Sequence, residues 1–131
     1  MNNTIMKPGT IVLARYNKIN GYGDRDKGYF CVLYDQQLDS ADGLKNNITA
    51  LKISTSFSMA EGSYCCPINL KTNKFFEKDC MVLCDKLYTL SKENVLSVLG
   101  TLDSGTFLNT TKTHHRWERE KNRQMEDCYH Q

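Results

Sequence analysis

The sequence contains no run approaching the ~18 consecutive apolar residues that a membrane span requires, so no membrane contact is expected. Its opening stretch, MNNTIMKPG, has neither a hydrophobic core region nor a small-residue cleavage pattern. That excludes a secretory signal there and points to the cytoplasm. Internal repeats and low-complexity tracts are absent. Neither sign of charge dominates: 17 Lys and Arg face 15 Asp and Glu, a net charge of +2. So weak a field excludes a surface that is basic throughout and leaves nucleic-acid contact to local patches. A zinc-type ligand set is incomplete as well. Cys80 and Cys84 have a workable spacing, but Met81, Val82 and Leu83 between them read as strand, and His114 and His115 are adjacent. Neither a metal nor a cofactor is expected.

What is present suits one folded domain with one core: 131 residues, 40% hydrophobic and 24% charged. The six cysteines are expected to be reduced, since no secretory signal accompanies them. Cys65 and Cys66 are neighbours, and neighbours on a strand point to opposite faces, so they do not form a ready pair.

Along the chain, residues 10–16 read as a first strand with both faces partly buried, Ile11 and Leu13 opposite Val12 and Ala14. Residues 17–28 are a Gly-rich charged loop. YFCVLY at 29–34 is a central strand, and NITALKIS at 47–54 a third. A hairpin is expected at 64–70, turning at 71–74 and returning near Phe75 and Phe76. Residues 80–84 form another strand, delivering Asp85 at its end. Ser91 is a candidate N-cap. Residues 95–99 either continue a helix from there or lead into a last strand. Asp103 or Ser104 caps a C-terminal helix with Phe107, Leu108, Thr111, His115 and Trp117 along one face. Residues from about 114 to 131 form a charged extension, helical or frayed. Five or six short strands followed by helix predict an α+β, barrel-like domain spanning 1–131.

The ordered set Pro8-Gly9-Thr10-Ile11-Val12, Ile53-Ser54-Thr55-Ser56, and Val82-Leu83-Cys84-Asp85 with Thr89-Leu90 resembles the MazF/PemK (Kid) toxins. The resemblance covers roughly residues 7–112. It implies a small SH3-like β-barrel of the CcdB/MazF type with a C-terminal helix, assembled as a homodimer. It implies metal-independent cleavage of single-stranded RNA, a cognate antitoxin as partner, and no cofactor. In the family an arginine before the second strand and a threonine or serine ending the third carry cleavage. The latter matches Ser54, and Asp85 matches the aspartate of the Kid-like members. The sequence departs from the family at Gly28-Tyr29, where Arg-Pro is usual, and at Leu83, where Kid-like members have arginine.

Metal-free RNA cleavage needs a base for the 2′-OH proton, an acid for the 5′-oxygen, and a cation for the phosphoryl charge. Arg25 is assigned as that cation, with its bidentate fork, and Ser54 and Asp85 complete the catalytic set. Tyr22, Lys27, Lys52, Thr55 and Ser56 are assigned to RNA binding, with Tyr22 stacking an unpaired base. Tyr29 and Tyr34 are placed against the core. Bland readings stand beside these. Ser54 to Ser56 satisfy a strand end, Asp85 is a turn residue, and Arg25 with Lys27 belongs to a solvated loop. His114 and His115 read as surface residues. A MazF-like module that binds nucleic acid or a partner without cutting is the alternative function.

Overall fold

The structure is a computed structural model; it describes residues 4–16, 26–39, 41, 45–55 and 64–129. Six strands, β1 (Thr10–Tyr16), β2 (Asp26–Asp35), β3 (Asn47–Ser54), β4 (Cys65–Pro67), β5 (Met81–Ser91) and β6 (Val95–Thr101), precede one helix, α1 (Ser104–Tyr129). The strands form one sheet in the order β4-β5-β3-β2-β1-β6, and every neighbouring pair is antiparallel. This is the expected α+β arrangement with a C-terminal helix. Among the described residues β4 and β6 are free edges, so the hydrogen-bonded ladder does not close into a ring.

Both faces of the sheet are covered, which explains why its strands read as nearly continuous apolar runs. One cluster gathers Ile11, Cys31, Leu51, Ile53 and Val82 with Leu102 and Phe76. The other gathers Val12, Ala14, Phe30, Val32, Ile48 and Ala50. The period-2 alternation of β1 to β3 sorts these residues onto the two faces. β1 enters through a turn at Lys7-Pro8-Gly9-Thr10, closed by Thr10 N–H donating to Lys7 O at 3.1 Å. Gly9 sits at φ +91°, a conformation that side-chain-bearing residues rarely adopt.

The expected bounds of β1 and β3 coincide with those observed. β2 starts earlier than expected, at Asp26, because residues 26–28 pair with Tyr16, Arg15 and Ala14. The expected hairpin at 64–76 is not formed. Residues 65–67 pair with β5 instead, and Asn73 draws the following segment toward the helix start. Its amide donates to Asp103 Oδ1 at 2.7 Å, and its own Oδ1 accepts from Asp103 N–H at 2.9 Å. β5 runs on to Ser91, so Asp85 lies inside a strand rather than at its end. The pairing jumps from Leu51–Leu87 to Lys52–Leu83, leaving residues 84–86 as a bulge that holds Asp85. Ser91 caps a one-turn 3-10 helix, Lys92–Asn94, and residues 95–99 belong to a strand.

Asp103 is the N-cap of α1: its Oδ2 accepts from Thr106 N–H at 3.1 Å. Bonds from the Thr106 hydroxyl, the Asn73 amide and the Thr106 N–H hold its carboxyl down to about 2. α1 packs on β4 and β5, and of the expected face Phe107 meets the core. Leu108 and His115 point to solvent, while Thr106, Thr110 and His114, spaced by four, are buried. His114, expected at the surface, is 4% exposed. Its Nδ1–H donates to Cys84 O at 2.8 Å, and Nε2 lies 2.9 Å from Glu118 Oε1. Tyr34 also departs from expectation: it is 36% exposed, and its hydroxyl donates to Asp39 Oδ1 at 2.6 Å.

Cys31, Cys65, Cys66, Cys80 and Cys84 are free thiols. Burial pushes those of Cys31 and Cys84 up to about 12 and that of Cys80 up to about 11. They are packing residues at neutral pH. Among the described residues no three His, Cys, Asp or Glu side chains converge as metal ligands, and no helix is long and apolar enough to cross a membrane.

Candidate nucleic-acid interface

Three strand ends meet at one side of the sheet: the end of β1, the start of β2 and the end of β3. Antiparallel pairing of Tyr16 with Asp26, and of Tyr29 with Ile53, fixes this meeting. A cleft of about 280 Å³ opens there, lined by Lys27, Gly28, Lys52, Ser54 and Thr55 among others. Lys27 and Thr55 are exposed, whereas Ser54 is 7% exposed.

Lys52, assigned to RNA binding from the sequence, reaches this cleft from β3. It pairs with Phe30 across the ladder, so its side chain starts on the covered face of the sheet. The ammonium lies 5.5 Å from the ring centroid of Tyr16 and 5.4 Å from that of Phe30. It donates to Ile53 O at 2.8 Å. Burial lowers the pKa of this amine below its ordinary value, while the charge of Asp26 pushes it back up. Tyr16, Phe30 and Tyr88 form an edge-to-face trio beneath it, with centroids 5.4 to 5.6 Å apart. Burial, then Asp26 and Tyr88, raises the Tyr16 phenol above its usual range.

A second cleft, of about 420 Å³, shares Tyr29 and Thr55 with the first and adds Phe75, Phe76, Glu77 and Lys78. Tyr29 stands edge-on to Phe76 with centroids 5.3 Å apart, and Phe75 to Phe76 at 5.1 Å. Tyr29 therefore packs against the core, as expected, and also lines both clefts. The aromatic wall beside it was missed in the sequence, where Phe75 and Phe76 read as the return of a hairpin.

Of the residues assigned from the sequence, Ser54, Thr55, Lys27 and Lys52 come together in one cleft. Asp85 is not among its lining residues; it sits half-buried in the β5 bulge. Arg25, Tyr22 and Ser56 lie outside the described residues. The cleft can bind an anion through Lys27 and Lys52 and offer hydroxyls from Ser54 and Thr55, and the adjoining cleft can place a flat group against Tyr29 and Phe75.

No protein-family model matches the chain, and no curated sequence does. Solved structures do match. MazF from Deinococcus radiodurans superposes with a TM-score of 0.65 at 12% identity, covering 87% of this chain and 96% of that one. The Mycobacterium tuberculosis toxin MazF-mt6 gives 0.61 at 14% identity, covering 82% and 93%. A mycobacterial endoribonuclease in complex with its cognate antitoxin gives 0.57 at 14% identity, covering 86% and 90%. The chain thus has the MazF fold over nearly the whole length of those toxins.

Proposed function

We propose that this protein is an endoribonuclease toxin that cleaves single-stranded RNA without a metal ion and is held in check by a cognate antitoxin. The observation that carries this reading is the gathering of Ser54, Thr55, Lys27 and Lys52 in one cleft on a chain whose solved structural neighbours include endoribonucleases and an antitoxin complex. RNA suits the cleft chemically. Phosphate oxygens meet the two lysines and two hydroxyls, and an unpaired base finds a π-surface at Tyr29 and Phe75 next door. A duplex, whose bases are already stacked, gains nothing from that wall.

In this reading the ribose 2′-OH attacks the adjacent phosphorus and the bond to the 5′-oxygen breaks. The proton leaving the 2′-oxygen is balanced by one delivered to the 5′-oxygen. Ser54 hydrogen-bonds the phosphoryl oxygens from the buried end of β3. Thr55, Lys27 and Lys52 hold the backbone; Arg25 is assigned further positive charge, and Tyr22 and Ser56 are assigned to RNA binding. Asp85 acts from the β5 bulge as proton acceptor or as an orienting carboxylate. The protein works in the cytoplasm as a homodimer, each copy neutralised when its antitoxin is bound.

One observation favours a second reading, a binding module that does not cut. The position of the family's usual arginine is Gly28, which carries no charge. Purified protein incubated with mixed single-stranded RNAs in EDTA decides between them. Discrete fragments are expected. Intact RNA with folded protein that carries no bound partner supports the binding module.

A further inference from the structure

Gly28 is buried at the start of β2, and the reason for its lack of a side chain is specific. An ideal Cβ on residue 28 would stand 2.9 Å from both Cε and Nζ of Lys52, and 2.9 Å from Cε1 of Tyr16. Real Cβ atoms essentially never approach that closely. The volume a side chain at 28 would fill is therefore taken by the end of the Lys52 side chain, arriving from the neighbouring strand. We infer that Lys52 supplies, from β3 and through this space, a cation that contacts the reacting phosphate of the RNA, in addition to the charge assigned to Arg25. The inference rests on the endoribonuclease reading above and names a charged group of that site.

Three features of the geometry fit this role. First, the amine is held: Ile53 O accepts from it at 2.8 Å, and the Tyr16 and Phe30 rings flank it. A fixed charge stabilises a phosphoryl transition state better than a mobile one, because little reorganisation remains to be done. Second, Lys52 and Ser54 are two residues apart on β3, so they share a face of the strand, and both line the same cleft. Third, seating an ammonium among aromatic rings is costly where packing alone is needed; a leucine or methionine would cover Tyr16 and Phe30 equally well. The desolvation that depresses its pKa also strengthens its field on a bound anion. Asp26, Tyr16, Tyr88 and Lys27 are the other titratable groups around it. During cleavage no bond forms to Lys52. It keeps its protons and neutralises the non-bridging oxygens while the P–O5′ bond breaks.

The test measures binding and cleavage separately. Binding is read by fluorescence anisotropy with a fully 2′-O-methylated single-stranded RNA, which cannot be cut, across a salt series. A phosphate contact contributes about 0.7 to the log–log salt slope on a single strand. Lys52→Met is expected to lower the slope by about that amount and to weaken binding roughly tenfold. Gly28→Ala keeps the charge and shifts the flexible end of Lys52, and is expected to weaken binding less than Lys52→Met while retaining most of the slope. Lys52→Gln serves if the Met variant fails to fold. On ordinary RNA both Lys52 variants are expected to cut at least about a hundredfold more slowly than the parent. An unchanged slope and affinity in the Lys52 variants overturns the inference whether or not the parent cleaves. A parent that never cleaves but loses slope with Lys52→Met overturns the nuclease reading and leaves the phosphate contact standing. A parent that binds no RNA overturns both.

Discussion

Replacing Lys92 by methionine should destabilise the protein severely without touching the cleft. Lys92 Nζ and Asp35 Oδ2 are 2.6 Å apart, with the two side chains 2% and 0% exposed. Asp35 also accepts from Met6 N–H at 2.7 Å and Gln37 N–H at 3.0 Å. Lys92 donates to Gln37 Oε1 at 2.8 Å and Thr4 O at 3.3 Å. The pair ties the chain leading into β1 to the end of β2 and to the 3-10 turn before β6. Removing one partner of such a pair costs about 3–5 kcal/mol, since a charge is left buried alone. The two amide donors that remain put Lys92→Met at the lower end, about 3 kcal/mol. With a urea m-value of about 1–3 kcal/mol/M, the midpoint should fall by at least about 1 M. Asp35→Asn combined with Lys92→Met should recover much of the loss, because the stranded charge is gone. The acid limb should report the same pair. Burial pushes the Asp35 carboxyl up, but the Lys92 bond, the Met6 and Gln37 amides and the Lys92 charge together hold it below the ordinary aspartate value. Its contribution is therefore complete above that value and is lost as pH falls through the lower, folded one. A Lys92→Met midpoint within about 0.3 M of the parent would mean that the buried pair contributes little to stability.

Lys52→Met should leave the fold as stable as the parent or more stable at pH 7. Because burial depresses the Lys52 amine, the unfolded chain binds more protons between the folded pKa and 10.5, so parent stability carries a gain with rising pH in that window. Thermal melts from pH 7 to 10.5 should show that gain in the parent and not in the variant. His114→Leu should strand the Cys84 carbonyl and cost about 1–3 kcal/mol, read as a lower urea midpoint, with RNA binding unchanged in the folded fraction. Arg25→Ala should slow cleavage more than Lys27→Ala, because a guanidinium fork engages two phosphoryl oxygens at once, and both should melt within about 0.5 kcal/mol of the parent.

The parts of the fold that follow a simple period were legible in the sequence. β1 is an apolar run with both faces buried, β3 alternates in sequence, and the bounds of both coincide with the expected ones. β5 does not alternate through residues 84–86, because a bulge resets its register there, so it read as a strand ending at Cys84. The segment after β4 carries no periodicity at all. It is organised by Asn73, whose amide bonds join residues thirty positions apart, and sequence spacing does not show such a link. α1 misled for a different reason: its buried stripe is Thr106, Thr110 and His114, polar residues satisfied by Asp103, a helix carbonyl and Cys84 O. In the cleft, Ser54, Thr55, Lys27 and Lys52 were all named from the sequence, but the reason for Lys52 was not. Its signal was a lysine between Leu51 and Ile53 in a strand buried on both faces, matched by a glycine where the resemblance to MazF/PemK toxins would put an arginine.

A cleft that directs a ribose 2′-OH onto the adjacent phosphate must leave a 2′-deoxy position uncut. The direct measurement is cleavage, in EDTA, of a single-stranded RNA by the parent protein, beside the same RNA carrying one 2′-deoxy residue at the mapped cut. Cleavage of the first and survival of the second at that position is the expected result. Equal cutting of both, or of neither by folded and partner-free protein, would contradict it.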